Sequence, residues 1–212
     1  MRYYPVFLDI AGKPAVVIGG GQVALRKVEG LLDAGARVTV VSPTLHPDLQ
    51  ALVAAGRANH ISREYSPGDL EGHLLAFVGT DDRSVNAAVA REGKQRGVWV
   101  NASDDPANCD FIMPGIVRRG DIILAVSTGA GSPAMARKLR EDLQEFLTEE
   151  YALMLDLAAQ VRQELSDRGV PVEPDVWNAA LDAEVKRLLR QGHFDEAKQR
   201  LLRSLLQPAR EP

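Results

Sequence analysis

Closely spaced glycines are the residues whose pattern points most directly to chemistry. Gly19, Gly21 and Ala24 form a G-x-G-x-x-A string between an apolar run and a helical pattern. In such a string the first glycine makes a tight turn, the second admits a pyrophosphate to the backbone, and the small third residue packs the helix against the strand. Gln22 and Val23 then begin a helix whose N–H groups and dipole favour phosphate. The spacing predicts a dinucleotide cradle.

The alternative for this string is a tight turn that binds nothing. Consecutive glycines lose more conformational entropy on folding than other residues, so an unliganded run would destabilise the chain. The elements around the glycines also favour the cradle. Residues 15–18 are continuously apolar, as in a strand covered on both faces. Residues 37–41 predict a second strand, which completes a βαβ unit of about 30 residues.

The helix inside this βαβ unit has one apolar stripe. Its members recur at helical spacing and are Ala24, Val28, Leu31 and Leu32. Gly35 follows where a left-handed C′ residue closes a helix. After the βαβ unit, further strands are predicted at 58–62, 74–78 and 98–100, and they alternate with helices at 48–55 and 82–96. Another strand is predicted before the unit, at 6–10. This alternation is typical of a parallel, doubly wound sheet that binds its ligand at the carboxyl ends of the strands.

The alternation of predicted strands and helices ends after residue 101. Strands are predicted at 111–118 and 121–127, and Ser132 and Pro133 open a helix that runs to about residue 165. Its apolar stripe is longer than one small domain needs, so part of it is expected to face another subunit. Packing within its own chain is the alternative. Two helices follow, at about 175–191 and 194–206.

Composition narrows the class of protein. The chain has 212 residues, 45% hydrophobic and 25% charged, with a net charge of −4. These values indicate an ordinary globular protein and argue against nucleic acid as its main partner. No apolar run is long enough for a membrane span, and a single cysteine, Cys109, is typical of a reducing compartment, so a cytoplasmic protein is expected. The four histidines have no ligand spacing, and no protein-held metal site is predicted.

The second strand leaves the choice of cofactor open. NAD-binding units usually carry an acidic residue about 20 residues after the glycines, where it holds the ribose hydroxyls. Here the strand ends in Ser42, Pro43 and Thr44, with neither an acid nor an arginine for a 2′-phosphate. These three residues are predicted to contact the ribose. The residues alone do not separate NAD from NADP.

Several motifs together resemble a known family. They run in order from Val17–Lys27 through Gly35–Pro43, Thr80-Asp81-Asp82, Asn101 with Asp104-Asp105-Pro106, and Phe111–Pro114 to Ser127-Thr128-Gly129 with Ser132-Pro133. Their order and spacing are similar to those of the precorrin-2 dehydrogenase / sirohydrochlorin ferrochelatase family, the N-terminal module of siroheme synthase. The resemblance covers about residues 3–165.

The resemblance implies an activity and an architecture. The activity is NAD-dependent oxidation of precorrin-2 to sirohydrochlorin, followed in some members by insertion of Fe²⁺ as a substrate. The fold is α/β, a Rossmann-type doubly wound parallel sheet followed by a small dimerisation region and a C-terminal helical domain. The corresponding boundaries are 1–110, 111–168 and 169–212. Members are homodimers whose active-site cleft lies between the nucleotide domain and the dimerisation region.

The family's catalytic aspartate corresponds to Asp104. Its position after the fifth strand supports this role, because that is the ligand-bearing edge of the sheet. Oxidation of precorrin-2 releases a hydride to nicotinamide and a proton to a base, and a carboxylate is suited to take the proton. A simple turn before Pro106 is the alternative for Asp104 and Asp105.

The substrate implied by the family is a polycarboxylate, so cations are expected in its cleft. The candidates are Arg118, Arg119, Arg137, Lys138 and Arg140. Solvation at the surface is the alternative for each.

Three polar residues are further candidates for contact with cofactor or substrate. Thr128 stands where relatives often have serine and keeps the hydroxyl. Asn101 and Thr80 lie at predicted strand ends, where they are expected either to contact cofactor or substrate or to stabilise turns.

The alternative to an enzyme is a nucleotide-sensing regulatory module. Such a module needs the glycine cradle but not the Asp104 and Thr128 segments.

Overall fold

The computed structural model describes residues 3–80, 82–102 and 106–206. The chain divides into two compact units, Met1–Met113 and Pro114–Pro212. The first boundary lies close to the predicted one at residue 110. The further division predicted at residue 169 stays a prediction.

The first unit is a parallel sheet with helices on both faces. Its strands are β1 (Pro14–Ile18), β2 (Arg37–Val41), β3 (Asn59–Ile61), β4 (Leu75–Val78) and β5 (Trp99–Ala102). Its helices are α1 (Gln22–Asp33), α2 (Pro47–Ala54) and α3 (Arg83–Arg96), with a short 3-10 helix at Pro106–Asn108. The strand order is β3-β2-β1-β4-β5 and every pairing is parallel. This confirms the predicted doubly wound α/β fold.

Alternation along the strands divides the apolar residues between two cores. Val17 of β1 packs with Val28 of α1 and Val40 of β2 on one face of the sheet. Val16 packs with Ala76 of β4 and Val89 of α3 on the other face. Because both faces of β1 are covered, its residues from 15 to 18 are all buried. Apolar burial of this extent is the main contribution that opposes chain entropy.

Glycines end two of these helices as the sequence predicts. Gly35 follows α1 with φ +75°, and Gly97 follows α3 with φ +69°. Both are in the left-handed region that glycine enters without steric cost.

The predicted strand at residues 6–10 is wrong. These residues form no strand, and Val6, Phe7 and Leu8 are 59%, 70% and 44% exposed. The short connection to β1 would make the two segments a hairpin, but β2 and β4 already occupy both edges of β1. Only Ile10 of this segment joins the core, where its carbonyl accepts the N–H of Lys13 in a turn.

The second unit begins with an antiparallel hairpin of β6 (Gly115–Arg119) and β7 (Ile122–Val126). Its helices are α4 (Pro133–Phe146), α5 (Glu149–Asp167), α6 (Pro174–Ala180), α7 (Ala183–Arg190) and α8 (Phe194–Leu206). Leu157, Val161 and Leu165 of α5 share one buried cluster with residues of α6, α7 and α8. The last helix has the predicted bounds.

Two predicted helices of this unit are each broken in two. The helix predicted from 133 to about 165 breaks after α4, where Leu147 leaves helical geometry at φ −82° and ψ 81° and is buried. The helix predicted from 175 breaks after α6, because Asp182 caps a new helix by accepting the N–H of Val185 at 2.9 Å. In both places the apolar period continues through the break, so periodicity does not reveal it.

The strand predicted to begin at residue 111 begins later, at Gly115. Phe111 belongs to the first unit, where its ring stands edge-to-face on Phe77 at 5.5 Å between centroids.

In the part of the chain that the structure describes, no helix is both long and apolar enough to cross a membrane.

Candidate functional site

A crevice opens where the strand order reverses, at the carboxyl ends of β1 and β4. Doubly wound sheets bind ligands at this switch point, because the loops from the two strands separate there. The crevice has a volume of about 390 Å³. Its walls come from four loops and are formed by Ile18, Gly19, Gly20, Gly21, Val41, Ser42, Pro43, Glu64, Tyr65, Gly79, Thr80, Asp82 and Val85.

Gly19 makes the turn out of β1. Its φ is +111°, which L side chains rarely adopt, and its N–H donates to the carbonyl of Val41 at 2.9 Å. A Cβ at this position would lie 2.8 Å from the carbonyl oxygen of Gly79. Both the dihedral angle and the close approach therefore require glycine here.

Gly20 is also required by close packing. A Cβ on it would lie 2.0 Å from the carbonyl oxygen of Thr44 and 2.7 Å from the hydroxyl oxygen of Ser42. The N–H of His46 donates to the Gly20 carbonyl at 2.7 Å and holds the two loops together. The middle glycine of the run is thus structural.

Gly21 has the opposite surroundings. A Cβ on it would meet no atom within 4 Å, so this position faces open space. It is the N-cap residue of α1, and no side chain caps the helix there, whereas His46 and Asp82 cap α2 and α3. The first N–H groups of a helix lack intrahelical partners, and the uncapped start of α1 at Gln22 leaves them for a phosphate.

The third position of the string, Ala24, is fully buried. A Cβ on Gly79 would lie 3.2 Å from the Ala24 nitrogen, so the start of α1 packs closely against the loop after β4. The glycine string and its surroundings therefore fit a dinucleotide, with Gly19 and Gly20 shaping the turn and Gly21 leaving room for the pyrophosphate.

The residues at the end of β2 divide between two surfaces. Ser42 and Pro43 line the crevice, and Thr44 lines a neighbouring depression of about 550 Å³ with Leu45 and His60. Ser42 is buried, and its hydroxyl donates to the carbonyl of Thr44 at 2.7 Å. This hydroxyl is therefore used to shape the turn.

Thr80 lines the crevice on the β4 side. Its hydroxyl accepts the N–H of Asp82 at 3.2 Å. Asp82 in turn caps α3, accepting the N–H groups of Ser84 at 2.8 Å and Val85 at 3.3 Å. The hydrogen bonds from Ser84 hold the pKa of Asp82 below its ordinary value, and the backbone of Val85 adds to the effect.

Glu64 and Tyr65 are crevice residues that the sequence did not reveal. They come from the loop after β3, a strand of only three residues. Most nucleotide units carry their acidic residue at the end of β2 instead. The loop after β3 lies beside the crevice because β3 pairs with β2, and this pairing is known only from the tertiary structure.

Asn101 lies on β5 with its side chain buried. Its Oδ1 accepts a hydrogen bond from Lys27 Nζ at 3.3 Å, and its Nδ2 donates to the carbonyl of Phe111 at 2.9 Å. The Lys27 ammonium also lies 5.5 Å from the centre of the Phe77 ring. This arrangement gives Asn101 a role in joining α1, β5 and the segment after the 3-10 helix.

Asp104, the predicted base, lies outside the described residues. The residues on either side of its segment are joined by Cys109, whose thiol donates to the Ala102 carbonyl at 3.0 Å. The Ala102 N–H lies 3.2 Å from the same sulfur. Cys109 is thereby joined to the end of β5.

Thr128, in the second unit, closes a loop onto α4. Its hydroxyl donates to the carbonyl of Ser132 at 3.1 Å and accepts the N–H of the same residue at 3.2 Å. Between them Gly129 and Ala130 both have positive φ, +61° and +68°. Backbone strain at a residue other than glycine often marks a functional segment.

The predicted substrate cations have different surroundings. Arg118 lies on the exposed face of the hairpin, whereas Arg119 forms an ion pair with Glu149 at 3.1 Å. On α4, Arg137 pairs with Glu141 at 3.5 Å and Lys138 with Asp142 at 2.6 Å. The hydrogen bond to Asp142 raises the pKa of Lys138. Within residues 3–80, 82–102 and 106–206, no three His, Cys, Asp or Glu side chains group as metal ligands would.

Known proteins resemble this chain over most of its length. The siroheme synthase of Methylobacillus flagellatus is 41% identical over 168 residues, which make up 79% of this chain and 36% of that protein. The siroheme synthase of Methylococcus capsulatus is 36% identical over 215 residues, covering 100% of this chain and 45% of the relative. The chain thus spans less than half the length of these curated relatives.

A solved structure agrees over nearly the whole chain. That structure, "SirC, precorrin-2 dehydrogenase", has a TM-score of 0.77 and 26% sequence identity, and the match covers 93% of this chain and 99% of the other. The resemblance to the precorrin-2 dehydrogenase family that the motifs predict is confirmed by these relatives. A family model described as "Putative NAD(P)-binding" matches residues 6–115, which hold the whole glycine crevice. The chain therefore belongs to this NAD(P)-binding family.

Proposed function

We propose that this chain is an NAD-dependent dehydrogenase that oxidises precorrin-2 to sirohydrochlorin in siroheme biosynthesis. The observation that carries the proposal is the glycine crevice at the switch point of the sheet, in a chain that matches a precorrin-2 dehydrogenase over 93% of its length. The single cysteine fits a reducing compartment, and we place the reaction in the cytoplasm.

The residues of the chain have separate tasks in this reaction. Bound NAD supplies the nicotinamide ring that accepts the hydride. The uncapped start of α1 at Gln22 binds the pyrophosphate. Asp104 takes the proton that precorrin-2 loses, because a carboxylate is suited to accept it. Asn101 and Cys109 join β5 to the chain that follows the 3-10 helix.

The second unit contributes the cations that a polycarboxylate substrate requires. Arg118 lies on the exposed face of the hairpin, which leaves its guanidinium accessible to carboxylates. Arg119, Arg137 and Lys138 would exchange their ion pairs with acidic residues for the substrate. The pairs of Arg137 and Lys138 are exposed, so replacing their acidic partners with carboxylates of the substrate costs little. Thr128 adds a hydroxyl at the start of α4.

A second copy of the chain completes the molecule as a homodimer. Every residue of α4 is described and none is buried, although the helix has an apolar stripe. Met135 and Phe146 on α4 are 50% and 61% exposed, and Ile116 and Ile123 extend this apolar surface on the hairpin. Covering such a surface with an identical copy is the usual solution in soluble oligomers.

The dimer is tested by light scattering on the purified protein. Replacing Met135 and Phe146 with glutamate should convert a dimer to a monomer. Leu206 is an exposed apolar residue on α8, so Leu206→Glu serves as the matched control and should leave the dimer intact. A monomeric unaltered protein at micromolar concentration would contradict the homodimer.

The activity is tested with precorrin-2 and NAD⁺, by following NADH formation together with the absorbance of the tetrapyrrole. Asp104→Asn should lower turnover by about 100-fold or more while NAD⁺ still binds, because general-base catalysis contributes this much. Asp105→Asn, at the neighbouring carboxylate, is the matched control and should retain most of the activity.

Two outcomes of this experiment contradict the proposal. Full turnover by the Asp104 variant would remove Asp104 from the mechanism. NAD⁺ binding without any turnover by the unaltered protein would instead favour the nucleotide-sensing module.

Insertion of Fe²⁺ or Co²⁺ into sirohydrochlorin, measured on the same preparations, separates members that only dehydrogenate from members that also insert the metal.

A further inference from the structure

We propose that Glu64, on the loop after β3, is the carboxylate that binds the adenosine ribose hydroxyls and selects NAD over NADP. This rests on the proposed function, because it assigns a residue to the cofactor of that reaction. The acidic residue that nucleotide units usually carry at the end of β2 is absent here. Glu64 would supply the same group from the neighbouring strand.

The pairing of β3 with β2 places Glu64 at the correct edge of the sheet. The two strands run parallel, with Val41 opposite Ile61, and the N–H of Ser42 donates to the Ile61 carbonyl at 3.2 Å. The loop after β3 therefore leaves the sheet next to the end of β2. Glu64 lines the crevice together with Pro43.

Glu64 also differs from the other carboxylate that the structure describes in the crevice. The Asp82 carboxylate accepts hydrogen bonds from Ser84 and Val85 as the cap of α3, and it lies on the β4 side. Within the described residues, no hydrogen bond or ion pair engages the Glu64 carboxylate, and the residue is exposed. It is therefore available to accept hydrogen bonds from ribose hydroxyls.

The loop that carries Glu64 is held in place on both sides. Arg63 donates two hydrogen bonds to the Asp69 carboxylate, at 2.7 and 2.6 Å. The Tyr65 hydroxyl donates to the buried Glu92 carboxylate at 2.6 Å. A carboxylate between two anchored neighbours loses less conformational entropy on binding, which favours affinity.

The same arrangement disfavours a 2′-phosphate. A carboxylate at the ribose repels the phosphate that distinguishes NADP from NAD. Arg63 is the neighbouring cation in the sequence, but its guanidinium is paired with Asp69, and this pairing raises the pKa of Arg63 and lowers that of Asp69. The loop therefore presents a negative charge to the ribose while its positive charge is neutralised.

The experiment compares the dissociation constants of NAD⁺ and NADP⁺ by calorimetric titration of the unaltered protein and two variants. Glu64→Gln should weaken NAD⁺ binding by about 10-fold or more, because hydrogen bonds to a charged acceptor are worth this much. It should leave NADP⁺ binding unchanged or tighter. Glu29 is an exposed carboxylate on α1 outside the crevice, so Glu29→Gln is the matched control and should bind both nucleotides normally.

A third ligand tests the contact itself. The NAD⁺ analogue that lacks the adenosine 2′-hydroxyl should lose affinity for the unaltered protein but little for Glu64→Gln, since coupled partners are not additive. Thermal melts of the unliganded variants should agree within about 2 °C, because Glu64 is exposed and surface substitutions change stability little.

The failure of this inference is distinguishable from failure of the proposed function. If the unaltered protein binds NAD⁺ and Glu64→Gln changes neither its affinity nor its preference over NADP⁺, Glu64 is not the ribose anchor, and the dehydrogenase proposal stands. If the unaltered protein binds neither nucleotide, both proposals are overturned.

Discussion

The carbonyl oxygen of Thr44 occupies the space that a side chain on Gly20 would need, since a Cβ there would lie 2.0 Å from that oxygen. The glycine loop after β1 and the turn after β2 are thus packed backbone against backbone. The hydrogen bond from the His46 N–H to the Gly20 carbonyl fixes the same contact. This contact determines the shape of the crevice wall before any ligand binds.

Gly20 and Gly21 are therefore expected to respond differently to alanine. Gly20→Ala should destabilise the first unit by several kcal/mol, because a methyl group would displace backbone in a packed interior. Gly21→Ala should leave stability nearly unchanged but weaken NAD⁺ binding, because the added methyl group points into the open space of the crevice. Thermal melts and NAD⁺ titrations of the two variants measure the two effects separately.

Gly30 provides the control for this pair. It lies in α1 and a Cβ there would meet nothing within 4 Å, so Gly30→Ala should stabilise the helix by about 0.5–1 kcal/mol and leave NAD⁺ binding unaltered. Equal loss of stability in the Gly20 and Gly21 variants would contradict the division of roles between these two glycines.

The hydrogen bond from Tyr65 to Glu92 is expected to stabilise the crevice wall. Tyr65→Phe removes the donor and leaves a buried carboxylate oxygen without it, which should cost about 1–3 kcal/mol. Burial raises the pKa of Tyr65 above its ordinary value, and the hydrogen bond to Glu92 adds to the effect. The neutral phenol is thus favoured in the folded state, so its stabilisation is present below pH 10 and is lost as pH rises through the raised pKa.

Absorbance at alkaline pH tests this expectation. The spectrophotometric titration of the protein should include a tyrosine that ionises well above pH 10, and Tyr65→Phe should remove that component. Tyr4 is 87% exposed, so Tyr4→Phe serves as the control and should retain the late component. An unchanged titration curve in the Tyr65 variant would show that the phenol is not held by Glu92.

Asp182 is expected to stabilise the C-terminal helices in a pH-dependent way. Its carboxylate caps α7 through the Val185 N–H and forms an ion pair with Arg200 on α8. The hydrogen bond from Arg200 holds the pKa of Asp182 below its ordinary value. The charged form is thus favoured in the folded state, so the stabilisation is present above about pH 4 and is lost as pH falls through the lowered pKa.

Two substitutions separate the charge from the cap. Asp182→Asn keeps a good N-cap acceptor and removes the charge, so its destabilisation should be seen at pH 7 and should vanish near pH 2. Asp182→Ala should cost about 0.5–2 kcal/mol more at pH 7, because the cap is also lost. Asp156→Asn, at an exposed position on α5, is the control in denaturant unfolding. A penalty for Asp182→Asn that does not depend on pH would contradict the ion pair.

Ala130 is expected to be strained. Its φ of +68° is in the left-handed region, which costs a residue with a Cβ about 1–2 kcal/mol. Ala130→Gly should therefore stabilise the protein by about 1 kcal/mol in denaturant unfolding, after the entropy of the added glycine is included. Gly129→Ala, at φ +61° with nothing within 4 Å of the added carbon, should destabilise it by a similar amount. Equal stability of both variants with the unaltered protein would show that this turn relaxes in solution.

Local patterns in the sequence were sufficient for most of the first unit. The continuous apolar run at residues 15–18 predicted β1, the apolar stripe predicted α1, and Gly35 predicted its end, because each signal lies within a few residues of the element that it specifies. The glycine string also predicted the cradle, since its function depends on a single turn. The assignment of the base to Asp104 stays a prediction, because that residue lies outside the described part of the chain.

Other features depend on which segments meet in space. The apolar run at residues 6–10 is typical of a strand, yet no edge of β1 is free to pair with it. No sequence motif around Glu64 indicates a ribose ligand, and the residue reaches the crevice only because β3 pairs with β2. Sequence periodicity reports the burial of one element at a time, whereas sheet order and loop packing arise from contacts between residues far apart in the chain. Most elements of the first unit are therefore readable from local sequence, while helix breaks, the fate of the segment at residues 6–10 and the walls of the crevice follow from tertiary packing.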